Sequence, residues 1–431
     1  MSAFDKVIGY RLIKDELIRF CDMVKNKEKY EKLCSHLPHG ILIYGDPGLG
    51  KTLMANCFIE ESGLKSYTIR RNTGNDDFIA TISETFRTAK ENAPSIVFLD
   101  DIDKFSNEDE AHCNTAEYIT VQAGIDDVKG SDVYVIATAN NIDKLPDSLS
   151  RPGRFDIKLL VDEPTKEDAE DIIKYYLSDK PISNDVEMDD VSKMISYSSC
   201  AELEEILNYA GVYAASNNHE SIEMRDFVKA VLRTQYVLPD DFLNGSTDED
   251  RKTAIHEAGH IVVREYLNPN SVGFAFIVKD EYENHHGIVR KCKKILQWDE
   301  NVFACMAGKA AVELYYSDTC TVGCISDISN AYEAIRNTMA VESSLGFGML
   351  DVTVASFKEH SESQLARGEA VTQAELERYM TMTRKILLEN RGFLEEVTEE
   401  LLNKGVLFHS DIKRIREKYI QDNSTRKMVK L

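Results

Sequence analysis

The first 160 residues alternate short apolar runs with longer amphipathic segments. Residues 41–44, 96–99 and 133–136 are the clearest runs, each continuous in hydrophobic side chains. Such runs are typical of strands buried on both faces, as in a parallel sheet covered by helices. Segments with helical periodicity, for example residues 78–92, lie between them. The pattern therefore predicts an α/β module built on a parallel sheet.

After residue 163 the pattern becomes helical. Four segments carry apolar residues at three- and four-residue spacing: residues 166–177, 189–197, 201–215 and 224–234. A polar, turn-rich stretch follows and is typical of a linker. Beyond it the chain is mainly helical, with strand-like interruptions at 272–278 and 287–289. We therefore expect an α/β subdomain at 1–163, a helical lid at 164–236, a linker at 237–250 and a mainly helical domain at 251–431.

Composition narrows the classes of partner and compartment. The 431 residues carry a net charge of -23, which disfavours binding to nucleic acid because polyanions are repelled. The apolar runs are far shorter than the roughly 18 residues that span a bilayer, and the N-terminus lacks the apolar region of a signal peptide. Nine cysteines include no CxxC pair, a usage typical of reduced cytosolic thiols. These features predict a cytoplasmic protein with no transmembrane segment.

A glycine-rich loop follows the first apolar run and opens a helical segment. Its residues are Gly45, Asp46, Pro47, Gly48, Leu49, Gly50, Lys51 and Thr52. Glycines allow backbone N–H groups to turn inward around phosphates, and the helix N-terminus adds a favourable partial charge. The lysine is then expected to reach the outer phosphates and the threonine hydroxyl to ligate Mg²⁺. The motif in this context predicts an ATP site.

Three later motifs fit the same site. Asp100 and Asp101 end the second apolar run, where one carboxylate can hold the magnesium shell and its neighbour can orient the attacking water. Asn140 follows the third run and is a candidate contact to the γ-phosphate, although asparagine at a strand end is more often a turn residue. Arg151 and Arg154 flank a Pro-Gly turn and suit the charge of a transferring phosphoryl group. Either arginine alone is more typical of a surface ion pair.

A second chemistry is indicated by His256, Glu257 and His260. Residues four apart share one face of a helix, so the two histidines can hold one zinc ion while the glutamate takes a proton from water. A third ligand is needed, and spacing alone leaves Asp327 and Glu313 both open. The adjacent pair at 285–286 is interpreted as part of an exposed loop and not as ligands.

Taken together, these residues resemble the FtsH family of ATP-dependent zinc metalloproteases, from about residue 4 to about residue 400. The order of motifs is similar: phosphate loop, acid pair, asparagine, Arg-Pro-Gly-Arg turn, helical lid and HEAGH. The resemblance implies an AAA ATPase module followed by a zinc metallopeptidase domain, with Zn²⁺, ATP and Mg²⁺ as cofactors and Asp327 as the third zinc ligand. It also implies a homo-hexamer in which Arg151 and Arg154 act on the neighbouring subunit's ATP, and protein or peptide substrates.

The chain departs from the family pattern in three places. The sequence begins without the family's N-terminal transmembrane region, which implies either a cytosolic enzyme or part of a longer protein. Asp101 stands where the family has glutamate, which retracts the carboxylate by about 1.5 Å, a shift that can cost roughly a hundredfold in a positioned reaction. The segment 71–79 lacks the aromatic-hydrophobic-glycine triplet of the substrate-threading loop. Phe78 and Ile79 are predicted to belong to the core of the next helix, because Ile82 and Phe86 continue the same stripe.

Three functions are compatible with these residues. The first is an ATP-dependent zinc metalloendopeptidase, in which the strand-like segment 274–278 pairs with an extended substrate. The second is a peptidase of small or unfolded substrates that ATP merely assembles, with weak ATPase activity. The third is a non-proteolytic AAA remodeller, which the complete HExxH and Asp327 set disfavours.

Overall fold

The structure of the chain is a computed structural model. It describes residues 2–34, 36–71, 77–106, 115–149, 151, 153–238, 247–279, 285–293, 298–316, 323–342 and 362–422. Internal packing divides the chain into two units. The first unit comprises Met1–Lys180 and Tyr197–Asn208, and the second comprises Pro181–Ser196 and Tyr209–Leu431. The predicted lid, residues 164–236, is thus divided between them, and its limits stay a prediction.

The first unit alternates helices and strands as the hydrophobic pattern predicts. Its helices are α1 (Arg11–Lys25), α2 (Lys27–Glu31), α3 (Lys51–Ser62), α4 (Phe78–Glu91), α5 (Ala116–Asp127) and α6 (Lys166–Leu177). Its strands are β1 (Gly40–Tyr44), β2 (Lys65–Ile69), β3 (Ser95–Leu99), β4 (Val133–Ala139) and β5 (Ile157–Leu160). Short 3-10 turns cover Ala3–Lys6, Ile102–Lys104 and Ile142–Lys144.

The five strands form one parallel sheet in the order β2-β3-β4-β1-β5. Alternate side chains of the central strands enter two different cores: Leu42 and Val97 face one core, whereas Ile41 and Ile96 face the other. Each of these central strands is therefore apolar on both faces, which explains the continuous hydrophobic runs. Because β3, β4 and β1 are neighbours, the residues that follow them meet at one edge of the sheet.

The remaining helices begin with the other lid segments. They are α7 (Met188–Met194), α8 (Cys200–Ser216, which passes from the first unit into the second), α9 (Met224–Val231), α10 (Asp248–Leu267), α11 (Trp298–Glu313), α12 (Gly323–Glu342), α13 (Glu362–Glu389), α14 (Arg391–Lys404) and α15 (His409–Asp422). The strands of the second unit are β6 (Val272–Lys279), β7 (His285–Lys291) and β8 (Val406–Phe408), and a π turn covers Leu232–Tyr236. The buried core of this unit forms around α10, α11 and α14, with Ala258, Ala307 and Leu394 among its fully buried members.

An antiparallel sheet in the order β7-β6-β8 lies beside α10. The strand predicted at 272–278 is β6, but it is the central strand and is paired on both sides over residues 274–276. The expectation that it pairs with substrate is therefore wrong, because its hydrogen-bonding edges are already used there. The expectation of a loop at 285–286 is also wrong, since both residues belong to β7.

The predicted fold class is confirmed. The parallel α/β module and the mainly helical second part are both present. Phe78 is buried, as predicted, whereas Ile79 is 41% exposed and does not belong to the core. None of the helices in the described parts of the chain is long and apolar enough to cross a membrane. All seven cysteines within those parts are free thiols.

Candidate active site

The loop between β1 and α3 has the backbone that a phosphate site requires. Gly45, Gly48 and Gly50 adopt φ angles of 146°, 81° and 82°, a region that residues with a Cβ rarely enter. Helix α3 begins directly after the loop, so its unpaired N–H groups face it. Lys51 is buried, and its Nζ donates to the Asp46 carbonyl oxygen at 2.6 Å. The loop thus holds a positive charge close to its own backbone.

The remaining loop residues divide between surface and core. Asp46 and Pro47 are exposed, whereas Leu49 is buried and anchors the loop to the core beside α3. Burial lowers the pKa of the Lys51 ammonium, an effect that the carboxylates of Asp101 and Asp103 oppose. These acids therefore keep the lysine charged in a partly desolvated position.

The carboxylate of Asp100 joins three elements. It follows β3, is 4% exposed, and its Oδ1 accepts hydrogen bonds from Thr52 Oγ1 at 3.1 Å and Thr138 Oγ1 at 2.8 Å. Thr52 lies in the first turn of α3, and Thr138 lies on β4. Carboxylate and hydroxyl oxygens are the ligands that Mg²⁺ prefers in nucleotide sites.

Asp101 and Asn140 come from separate motifs and are in contact. Asn140 Nδ2 donates to Asp101 Oδ1 at 3.4 Å, and Asp101 adopts a left-handed φ of 54°. The other carboxylate oxygen of Asp101 pairs with Lys104 Nζ at 2.9 Å. The side chain expected to orient water is thus partly neutralised by a lysine one helical turn away.

Sequence reasoning missed Asp103. This residue is 8% exposed, and its carboxylate accepts hydrogen bonds from the backbone N–H groups of Asn140 at 3.1 Å and Asn141 at 3.3 Å. It therefore fixes the turn that presents the Asn140 side chain. The signal was available, because Asp103 is the third acid in a short stretch that follows a buried strand.

The two candidate arginines have different surroundings. Arg154 donates to Asp126 through Nη2 at 2.7 Å and Nε at 3.3 Å, and to the Ser148 carbonyl oxygen at 2.7 Å. These hydrogen bonds lower the pKa of Asp126 to about 2. Arg151 is exposed. Arg154 is therefore held by residues of the same chain, and Arg151 is the more accessible of the two.

Helix α10 carries the three residues of the predicted peptidase motif. It begins after Thr247, whose Oγ1 accepts from Asp250 N at 3.1 Å while Asp250 Oδ2 accepts from Thr247 N at 2.9 Å. This capping box satisfies two backbone donors at the start of the helix, those of Thr247 and Asp250. Two turns later His256 and His260 project from one face, with their Nε2 atoms 3.1 Å apart and their rings buried.

Asp327 of α12 completes the group. Its Oδ2 lies 3.3 Å from His256 Nε2 and 3.2 Å from His260 Nε2. That same oxygen is buried and has no hydrogen-bond partner. Three lone-pair atoms therefore converge on one point, which requires a positive charge between them. Two imidazoles and a carboxylate are the donor set that zinc binds, with one position left open.

The two histidines are oriented from behind by different groups. His260 Nδ1 donates to the Ala304 carbonyl oxygen of α11 at 2.7 Å. His256 Nδ1 lies 3.9 Å from Cys324 Sγ, and its ring lies flat against Gly308, where a Cβ would come within 2.3 Å of Cε1. Such outer contacts fix which ring nitrogen faces a metal. Sequence reasoning did not identify them.

Glu257 occupies a dry position beside these ligands. It is 4% exposed and lies against Gly287 of β7, where an added Cβ would be 2.5 Å from Oε1. Burial raises the pKa of Glu257, and the neighbouring histidines oppose the shift. A carboxylate raised in this way is a stronger base than one in water.

The charges of the three candidate ligands are interdependent. Burial lowers the pKa of His256, but the nearby Asp327 carboxylate and Cys324 thiol raise it, and the net shift is upward. Although burial disfavours the carboxylate, the close approach of both histidine rings holds the pKa of Asp327 well below its usual range.

Glu313, the other candidate third ligand, lies elsewhere. It is near the end of α11, where its carboxylate pairs with Lys309 at 3.0 Å and with Arg384. Its negative charge is therefore already balanced by two cations.

Comparisons with known proteins identify similar sequences for both parts of the chain. Residues 41–163 match the model of the ATPase family associated with various cellular activities (AAA). The chain is 29% identical over 378 residues to the ATP-dependent zinc metalloprotease FtsH 2 of Salinibacter ruber, covering 81% of the chain and 53% of the relative. It is 27% identical over 447 residues to the ATP-dependent zinc metalloprotease FtsH of Thermus thermophilus, covering 96% and 70%. The chain is a homologue of the FtsH metalloproteases.

The similarity to FtsH does not extend over whole relatives. The chain spans 53% of the Salinibacter ruber protein and 57% of FtsH 2 from Sphaerobacter thermophilus, about half of each. The region of this FtsH homologue that corresponds to the substrate-threading loop falls largely on residues 72–76, which lie outside the described residues.

A second cluster of possible ligands has a different explanation. His219, Glu223 and Asp226 also bring ligand atoms close together. Here, however, Arg225 donates to His219 Nε2 at 2.6 Å and to Glu223 Oε2 at 3.0 Å. A guanidinium already supplies the positive charge, and Glu223 with Asp226 forms the capping box of α9. In this FtsH homologue the cluster is therefore a helix-capping network.

Proposed function

We propose that this FtsH homologue is a zinc metalloendopeptidase coupled to an AAA ATPase, with Zn²⁺, ATP and Mg²⁺ as cofactors. The observation that carries the proposal is the convergence of His256 Nε2, His260 Nε2 and Asp327 Oδ2 on one point, with buried Glu257 beside it. The three converging residues are the ligands, and Glu257 is the catalytic base. Protein or peptide chains are the substrates.

Each residue of the metal site has a separate task. The bound zinc supplies Lewis acidity toward a water molecule and a peptide carbonyl. Glu257 takes the proton of the attacking water, and its dry setting against Gly287 keeps that carboxylate basic. The Ala304 carbonyl oxygen holds His260 with its Nε2 lone pair available to the metal.

Strand β7 is the element against which substrate would lie. It is an edge strand in the order β7-β6-β8, and its Gly287 touches Glu257. An extended peptide that adds to this edge gains backbone hydrogen bonds and passes beside the base. The role first expected of β6 is thus assigned to its neighbour.

In the AAA module the loop from Gly45 to Thr52 would bind the ATP phosphates. Asp100 and Thr52, which are hydrogen-bonded to each other, would hold the magnesium shell, and Asp101 with Asn140 would orient the attacking water. Arg151, assisted by Arg154, would act on the ATP of a neighbouring subunit in a ring of six. The cytoplasmic location predicted from composition remains part of this proposal.

The test compares two substrates, unfolded casein and a tagged, stably folded protein, with ATP and with a non-hydrolysable analogue. Glu257→Gln serves as the blank, because it preserves the side-chain volume and removes the base. We expect the folded protein to be consumed only with hydrolysable ATP. Removal of zinc with a chelator should abolish peptide cleavage, leave ATP hydrolysis intact, and be reversed by added zinc.

One observation favours a second function. Asp101 is shorter than the family's glutamate, and Lys104 holds one of its oxygens at 2.9 Å. If ATP hydrolysis is slow for this reason, nucleotide chiefly assembles the ring, and the analogue will support casein cleavage as well as ATP does. If neither substrate is cut although ATP is hydrolysed, the peptidase proposal fails and a non-proteolytic remodeller takes its place.

A further inference from the structure

The three-stranded sheet of the second unit has two occupied faces. One face lies on α10, where Gly287 touches Glu257 and Val289 packs against the core. The other face carries Phe274 and Phe276, which are completely buried. The ring of Phe276 meets that of Tyr236, from the π turn that ends the lid, at 5.3 Å. Part of the lid is thus built into the peptidase sheet.

Helix α7 of the lid reinforces this packing. Both carboxylate oxygens of buried Asp190 accept hydrogen bonds from Ser410, at the start of α15. The end of α7 approaches β6 so closely that a Cβ on Gly273 would lie 2.4 Å from the Lys193 carbonyl oxygen. These are contacts within one unit, so we expect α7 and the sheet to move together.

Arg290 makes the connection from the catalytic strand itself. Side chains alternate along β7, so Arg290 points to the face opposite Gly287 and Val289. Its Nε donates to the Ser196 carbonyl oxygen at 3.1 Å, its Nη2 donates to the same oxygen, and its Nη1 donates to Gln235 Oε1. A planar guanidinium with three such bonds fixes the strand more strictly than a single donor does.

Ser196 is the last residue before the chain passes into the first unit. The segment that follows lies against the phosphate loop. Ala201 N donates to the Gly48 carbonyl oxygen at 3.0 Å, and a Cβ on Gly48 would lie 3.1 Å from Ser199 Oγ. Two residues therefore separate Ser196, whose carbonyl group Arg290 holds, from Ser199, whose side chain touches the nucleotide loop. Tyr197, which lies between them, has a left-handed φ of 58°, a backbone conformation that residues other than glycine rarely adopt.

We propose that Arg290 is a positioning residue of the peptidase site. It fixes β7 beside Glu257, and because it is bonded to Ser196, the position of β7 follows the position of Ser196. Peptide hydrolysis therefore depends on the bound nucleotide. The inference rests on the proposed function. Movement of the loop at Gly48 passes along the chain to Ser196, and the guanidinium transfers it to β7. Because Gly287 has no side chain to absorb a shift, displacement of the strand changes the setting of Glu257 directly.

The experiment uses the full-length, zinc-loaded protein and a short fluorogenic peptide that needs no unfolding. We measure kcat and KM with ATP, with ADP and without nucleotide. In the wild type we expect kcat to differ between ATP and ADP. In Arg290→Ala we expect kcat to fall by roughly ten- to a hundredfold, as a misplacement of about 1 Å can cause, and the rates with the two nucleotides to become equal. KM, zinc content and ATPase rate should stay unchanged.

Hydrogen exchange at the β7 amides gives a readout that does not need peptidase activity. In the wild type their exchange should change between ATP and ADP, and in Arg290→Ala it should be faster and the same with both. This measurement tests the peptidase function and the coupling of β7 to the nucleotide separately. If the wild type cleaves no peptide but its β7 exchange depends on the nucleotide, the peptidase proposal fails and the coupling through Arg290 stands.

Two further variants distinguish a specific role of Arg290 from a general loss of activity caused by misfolding or by removal of an arginine. Arg290→Lys keeps the positive charge but replaces the planar guanidinium by one ammonium group, so kcat and the nucleotide response should both be intermediate. If the alanine variant fails to fold, this lysine variant tests the proposal. Arg391→Ala removes an exposed arginine that pairs with Glu395 at 2.9 Å in the same unit and should behave as wild type. Wild-type kcat and nucleotide response in both Arg290 variants, or an equal loss in the control, would overturn the proposal.

Discussion

A single methyl group at Gly308 should displace one zinc ligand. Gly308 lies on α11 directly under the His256 ring, where an added Cβ would be 2.3 Å from Cε1 and 2.5 Å from Nε2. Carbon atoms pack at about 3.5–4.0 Å, so in Gly308→Ala the ring must retreat by more than about 1 Å. The retreat takes Nε2 away from His260 and Asp327, which now lie 3.1 and 3.3 Å from it.

Two costs follow from this displacement. Disturbing the contacts that orient a ligand typically costs about 10- to 100-fold in metal affinity. Overpacking a dense interior lowers folding stability by about 1–3 kcal/mol. Replacing a glycine inside a helix by alanine raises stability by up to about 1 kcal/mol and so offsets part of that loss. We therefore expect Gly308→Ala to lose zinc affinity by about one to two orders of magnitude while stability falls by no more than about 2 kcal/mol.

Competition with a colorimetric zinc chelator measures the affinity, and thermal unfolding followed by circular dichroism measures stability. Gly211→Ala is the matched control, because Gly211 also lies inside a helix, and its added Cβ would meet nothing nearer than Ile222 Cδ1 at 3.9 Å. That variant should keep zinc and gain up to about 1 kcal/mol. If Gly308→Ala retains zinc as tightly as the control, the close contact does not position His256 and the reasoning is wrong.

Three other changes test separate parts of the molecule. Gly287→Ala places a Cβ 2.5 Å from Glu257 Oε1, so cleavage of casein should fall by roughly a hundredfold. The zinc content, measured by mass spectrometry, should stay unchanged. Loss of zinc would contradict the assignment of Gly287 to the base and not to the metal ligands. Asp101→Glu should raise phosphate release, because the longer side chain recovers about 1.5 Å of reach, and an unchanged rate would show that reach is not limiting. The pKa of Asp126 is lowered to about 2 by Arg154 and is ordinarily about 3.9; the stability from this pair is therefore complete above about pH 4 and is lost as the pH falls toward about 2. The urea midpoint difference between wild type and Asp126→Asn should shrink over that range, and a constant difference would exclude the pair as its source.

Motifs local in the chain were predictable, since periodicity and spacing report them directly. The loop at Gly45, the acids at Asp100 and the histidines of α10 each follow from residues within one turn or one strand end. The choice of Asp327 over Glu313 did not follow from spacing, because both lie on later helices at distances that sequence does not reveal. The resemblance to FtsH selected Asp327, and the structure brings this residue to the histidines.

The errors have a common physical cause. Strand β6 reads as a strand whether it lies at an edge or in the centre of a sheet, because hydrophobic pattern reports burial and not pairing. The third strand, β8, is three residues long and more than 120 residues later in the chain, so no local signal marks it. The two histidines at 285–286 appeared polar enough for a loop, yet β6 holds them in an antiparallel ladder.

Glycines in the second unit mark close contacts around the proposed metal site that were not predicted from the sequence. Gly259 and Gly308 lie inside helices, where glycine is unfavourable by about 1 kcal/mol relative to alanine, so another benefit must offset that cost. At Gly259 a Cβ would lie 2.6 Å from the Ala307 carbonyl oxygen, and at Gly308 it would strike His256. The two glycines let α10 and α11 approach until ligand and backbone touch. Gly287 serves Glu257 in the same way from the strand. A helical glycine near a metal-binding motif is therefore best interpreted as a close contact, either with the ligand itself, as at Gly308, or with the backbone of the neighbouring helix, as at Gly259.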